Sequence, residues 1–153
     1  MQRILTIVSA AVLILMGSSF VPTRPDFRVK TIVIDAGHGG KDPGTHGDNT
    51  REKEIALQVA LQLGRIIQEN MPDVKVVYTR KDDTFVELSE RAAIANRSNA
   101  DLFISIHCNS GPRAAKGTET YVLGQSKAES NLEVSKRENS VIVQEKDYLE
   151  KYD

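Results

Sequence analysis

The chain has 153 residues, 40% hydrophobic and 27% charged, which suits one soluble globular domain and is too short for two ordinary ones. The net charge is -1, Trp is absent and aromatics make up 5%, which excludes both a strongly basic nucleic-acid face and a stacking platform for single strands. The one cysteine, Cys108, excludes an internal disulfide.

Residues 1–19 stand apart. Arg3 supplies a positive charge, Ile4 to Met16 is apolar except at Thr6 and Ser9, and Gly17, Ser18 and Ser19 follow. This is the order of a secretory signal peptide, with an apolar run short of the roughly 20 residues a membrane span needs. Export to the periplasm or cell exterior is therefore expected, with no stable transmembrane segment after cleavage; an uncleaved N-terminal anchor is the alternative. Residues 20–29, with Pro22 and Pro25, read as a linker.

Thr31 to Asp35 is a β-branched run that predicts a buried strand, and it leads into the glycine-rich loop 36–44. Arg51 to Asn70 predicts a helix with Ile55, Val59, Leu63, Ile66 and Ile67 as its apolar stripe, Asn49 as its N-cap and Pro72 as its stop. Val74–Thr79 is the second predicted strand, Glu87–Ser98 a second helix, and Leu102–His107 the third strand. In that strand Leu102, Ile104 and Ile106 face one way and Phe103, Ser105 and His107 the other. Thr118–Leu123 is a fourth predicted strand. Alternating strands and helices predict an α/β fold, one domain with a central, mostly parallel twisted sheet flanked by helices. Residues 125–153 are rich in Glu, Lys, Ser and Asn and read as a charged, helix-prone segment.

In open α/β sheets, sites lie outside the carboxyl ends of the strands. His38 follows the first strand and His107 ends the third, so both belong to one edge. Glu52, in the first turn of the first helix, can return to it. Two imidazoles and a carboxylate leave a fourth position for water, the pattern of catalytic zinc. Asp35 is a candidate to orient His38 through its free ring nitrogen. Spacing leaves other roles open: Glu52 also sits where a capping-box glutamate would, and His38 fits an ordinary polar loop. His46, between Gly44 and Gly47, is expected in solvent.

Four segments, in order, carry a resemblance. Val33-Ile34-Asp35-Ala36-Gly37-His38-Gly39-Gly40-Lys41-Asp42-Pro43-Gly44 resembles the first zinc motif of the amidase-3 type N-acetylmuramoyl-L-alanine amidases. Arg51-Glu52-Lys53-Glu54-Ile55-Ala56-Leu57 resembles the second-ligand segment. Thr79-Arg80, Leu88-Ser89-Glu90-Arg91 and Ile94-Ala95-Asn96 match the stretch between the halves. Ala100 to Asn109 resembles the third-ligand motif, with Cys108 in place of a small alanine, and Gly117 to Tyr121 matches the strand that follows. The resemblance implies an enzyme that hydrolyses the amide between N-acetylmuramic acid and L-alanine in peptidoglycan, with Zn2+ held by His38, Glu52 and His107. It makes residues 30–124 the N-terminal part of the catalytic domain, and peptidoglycan and an activator protein the expected partners.

The family's late general acid/base glutamate finds no match: Glu145 lies in Val143-Gln144-Glu145-Lys146-Asp147, which does not fit its motif, so the catalytic residue is left unassigned. The fold's last strand and helix also find no match, so the chain reads as truncated on its C-terminal side. Residues 125–153 are either an incomplete C-terminal part or the start of an insertion. In some relatives such an insertion carries a helix that blocks the zinc site. Two other functions stay open: a catalytically deficient peptidoglycan-binding or regulatory module with the amidase fold, and a zinc peptidase of the stem peptide, against which the motif order argues.

Overall fold

The computed structural model describes residues 27–111, 114–122 and 129–152. The signal-peptide reading and most of the linker lie outside them. Among the described residues no helix is long and apolar enough to cross a membrane.

The sheet has three parallel strands, β1 (Thr31–Ala36), β2 (Lys75–Tyr78) and β3 (Leu102–Ile106), in the order β2-β1-β3. The register sets Val33 beside Val77 on one side and Phe103 on the other. β1 is central because its Ile-Val-Ile run can be buried on both faces, as a strand covered by helices must be. Helix α1 (Glu52–Asn70) connects β1 to β2 and α2 (Leu88–Arg97) connects β2 to β3. The α/β class and the parallel sheet agree with the sequence reading.

Ile32, Ile34 and Ala36 of β1 join Ala60 of α1 and Val74 in the core, with Leu57, Leu63, Ile67, Ile104 and Ile106 packed against it. Two expectations for α1 change here. Its buried face is Ala56, Ala60 and Gly64, while Val59 and Ile66 of the expected stripe are nearly half exposed. Small residues one turn apart let the helix axis approach the sheet closely, and that contact outweighs the bulk of the larger side chains. The N-cap is Arg51, without a side-chain cap bond, instead of Asn49.

Residues 118–122 form no strand, and the sheet has three strands among the described residues. Tyr121 and Val122 are exposed there, and extended chain without a partner edge is not a strand. The described part of the charged segment contains α3 (Glu129–Glu138), a 3-10 helix (Asn139–Gln144) and the short α4 (Tyr148–Lys151). Val141 and Glu145 are buried where it returns to the domain.

Candidate metal centre

The loop after β1 closes on itself through reciprocal backbone hydrogen bonds between Gly39 and Asp42. His38 enters that turn in the left-handed region, φ 59°. A non-glycine residue there costs of order 1–3 kcal/mol and persists only where its surroundings hold it. Arg91 does so, donating from Nη2 to the His38 carbonyl at 2.8 Å. The turn carries Asp42 back to the imidazole, 2.7 Å from Nδ1, which leaves Nε2 to face inward.

Asp42 therefore takes the orienting role expected of Asp35. The Asp35 carboxylate is engaged by other partners. It accepts hydrogen bonds from Thr79, Ser105 and Arg91 at 2.7 Å each.

Glu52 heads α1 but does not fold back to cap it. Its carboxylate accepts from the backbone N–H of Thr45 at 2.9 Å and of Cys108 at 2.7 Å. Oε1 then lies 3.1 Å from both His38 Nε2 and His107 Nδ1. His107 follows β3, and its ring stands edge-on to that of His38, 4.8 Å between centroids. Two glycines make room for this cluster. A Cβ on Gly37 would stand 2.5 Å from the His107 ring, and one on Gly44 2.5 Å from His38 and 2.8 Å from Glu52.

The three residues singled out in the sequence are thus brought together. His46 is exposed and outside the group. A fourth member was not foreseen. Glu138, the last residue of α3, sets Oε2 2.9 Å from His107 Nδ1 and 3.4 Å from His38 Nε2. One ligand atom from each of His38, Glu52, His107 and Glu138 fits within 4.8 Å of the others. No periodicity or motif separates Glu138 from the other acidic residues of its charged segment; its role comes only from how that segment docks.

Burial alone would pull the His38 imidazole down, but hydrogen bonds to Asp42, Glu138 and Glu52 outweigh it and push it up to about 11. His107 follows the same balance, raised to about 9 by Glu138 and Glu52. Burial would lift the carboxyl of Glu138, yet His107 and His38 bring it down to about 2; Glu52 is held well below the usual carboxylate range by the same two imidazoles. These are paired charges, and their spacing draws two anionic oxygens and two ring nitrogens onto one point. A divalent cation there would replace the imidazole protons. Two buried donor residues, His38 and Glu52, and two half-buried ones, His107 and Glu138, drawn from four separate segments, fit a tetrahedral zinc site. The second-sphere support also fits: Asp42 fixes the His38 tautomer, and two N–H groups fix Glu52.

The family model for N-acetylmuramoyl-L-alanine amidases matches residues 32–151. An uncharacterised protein of Bacillus subtilis (strain 168) is 41% identical over 114 residues, 74% of this chain and 54% of that protein. A sporulation-specific N-acetylmuramoyl-L-alanine amidase of the same organism is 43% identical over 91 residues, covering 60% of this chain and 35% of its own length. Among solved structures, the catalytic domain of the amidase CwlV from Bacillus (Paenibacillus) polymyxa var. colistinus is 45% identical. It superimposes with a TM-score of 0.53 over 56% of this chain and 49% of that one. The chain spans about half or less of the length of these relatives.

Proposed function

The chain belongs to the N-acetylmuramoyl-L-alanine amidase family, and from that premise we propose that it serves in zinc-dependent hydrolysis of the amide between N-acetylmuramic acid and L-alanine in peptidoglycan. The observation that carries this reading is the convergence of His38, Glu52 and His107 at the carboxyl edge of the sheet. Zinc bound there would supply Lewis-acid polarisation of the amide carbonyl and a more acidic water. His38 through Nε2, His107 through Nδ1 and Glu52 through Oε1 would hold the metal, and Asp42 at Nδ1 keeps His38 in the tautomer this needs. The Ile4–Met16 stretch and the extracytoplasmic substrate support export, to the periplasm or cell surface.

A second element of the proposal concerns Glu138. Its Oε2 lies 2.9 Å from His107 Nδ1 and 3.4 Å from His38 Nε2, so it would compete with a hydrolytic water for the fourth position on a zinc held by His38, Glu52 and His107. The site is then occluded by its own chain. Residues 129–152 act as an inhibitory strap, and an activator protein that draws α3 away would open the site.

Both elements are tested on purified peptidoglycan with the zinc-loaded full chain and its Glu138→Ala variant. Release of free L-alanine amino termini, with lactoyl groups left on muramic acid, is the expected product, and the variant is expected to be at least tenfold faster. Cleavage between two amino acids would point to a peptidase. Binding without cleavage by both proteins would point to a non-catalytic module. A variant 10²–10⁴-fold slower would instead make Glu138 the general acid/base, the loss such a group typically causes.

A further inference from the structure

Two buried arginines lie directly beneath the metal-site loop. Arg80 and Arg91 are 4% and 5% exposed. Guanidinium groups are rarely taken so far out of water without extensive pairing, and here most of the pairing is with backbone carbonyls. Arg80 donates to the carbonyls of Ala36 at 2.9 Å, Gly37 at 2.7 Å, Lys53 at 2.8 Å and Asp82 at 2.9 Å. Arg91 donates to those of Ala36 and His38 at 2.8 Å each and Val86 at 2.9 Å, and to the Asp35 carboxylate at 2.7 Å.

Three consecutive carbonyls, residues 36 to 38, are thus held by two adjacent forks. The acceptors are not random. Lys53 follows Glu52 in the first turn of α1, so Arg80 ties the segment of His38 to the segment of Glu52. Asp35, held by Arg91, also accepts from Ser105, two residues before His107. The two arginines therefore link the three segments that carry His38, Glu52 and His107. Arg91 also holds the carbonyl of His38 itself, whose backbone is left-handed.

We propose that Arg80 and Arg91 are positioning residues of the metal centre, fixing the mutual geometry of His38, Glu52 and His107 from below through the backbone. The inference rests on the zinc reading of the site. Its physical requirement is the planar fork. A lysine keeps the charge but presents one nitrogen, and cannot bridge carbonyls several ångströms apart. Arginine-to-lysine variants should keep the fold and loosen the ligands.

The test is zinc affinity, by competition with a chromophoric chelator, beside the thermal midpoint of the metal-free protein. Arg91→Lys and Arg80→Lys are compared with Ile32→Ala, which weakens the core on the far face of β1 without touching the loop. Zinc binding at least tenfold weaker in both lysine variants, and unchanged in Ile32→Ala at a similar loss of midpoint, is the expected result. Equal zinc affinity in wild type and the lysine variants would overturn the inference while leaving the zinc reading intact. Absence of zinc uptake by the wild type would overturn that reading and the inference with it. If Arg91→Lys does not fold, Arg80→Lys, which keeps the Arg91–Asp35 pair, decides alone.

Discussion

At His38 the decisive neighbour is four residues along the loop. Asp42 sits 2.7 Å from Nδ1, so the imidazole can offer only Nε2 to the other members of the group. Losing such an outer partner typically costs roughly 10–100-fold in metal affinity. Asp42→Ala is therefore expected to weaken zinc binding by that factor in the same chelator competition, and to lower the midpoint of the metal-free protein as well, because the buried His38 loses its nearest carboxylate. An unchanged affinity would show that the loop backbone alone orients the ring. The sequence made His38, Glu52 and His107 visible because each stands at the sheet's carboxyl edge in a recognisable motif. It did not distinguish Asp42 from Asp35. Strand alternation sends Asp35 to the α2 face, while a tight turn with φ 126° at Gly39 and 54° at Gly40 brings Asp42 back to His38. Nearness in sequence carries neither fact.

Among the elements, β1, β2, β3, α1 and α2 were all legible, because β-branched runs and helical periodicity mark them. The buried face of α1 was less so. Large apolar side chains drew the expected stripe, while alanine and glycine made the actual contact. The charged segment was legible as helix and illegible as a docked strap, since polar composition says nothing of where a helix end lands. Its docking is specific. The Glu145 carboxylate accepts from the N–H of Leu88 at 2.5 Å and from the Tyr152 hydroxyl at 2.8 Å. That hydroxyl accepts in turn from the N–H of Ser89 at 3.1 Å. A buried carboxylate thus satisfies the amino end of α2, where a negative charge is favoured. Each bond contributes about 1 kcal/mol. Tyr152→Phe removes two of these bonds and should therefore speed amide exchange across residues 139–152 by roughly thirtyfold and leave α1 unaffected. Faster exchange confined to Ser89 would mean that the bond caps α2 without holding the strap.

Across the whole molecule the balance of buried groups is unusual. Nine polar or charged residues are buried among the described residues, against eight hydrophobic ones, three of which are alanines. A core this small leaves much of the stability to a polar network, and such a network is strong only when every charge is matched. Around His38, Glu52, His107 and Glu138 the match is made by protons on the imidazoles. A divalent cation would make it better, and it would tie the body of the domain to α3 through Glu138. Metal bound only to the folded state adds stability by mass action, about 2.7 kcal/mol at a hundred times the dissociation constant. For a chain of this size that is roughly 5–10 °C in midpoint. Thermal unfolding followed with excess zinc and with chelator should show this upward shift. Glu138→Ala should retain the larger part of it, because three ligands remain. The same addition should slow exchange in α3 of the wild type alone. A zinc-induced shift that vanishes in Glu138→Ala would make the strap the principal ligand-bearing element, and His38, Glu52 and His107 an incomplete site without it.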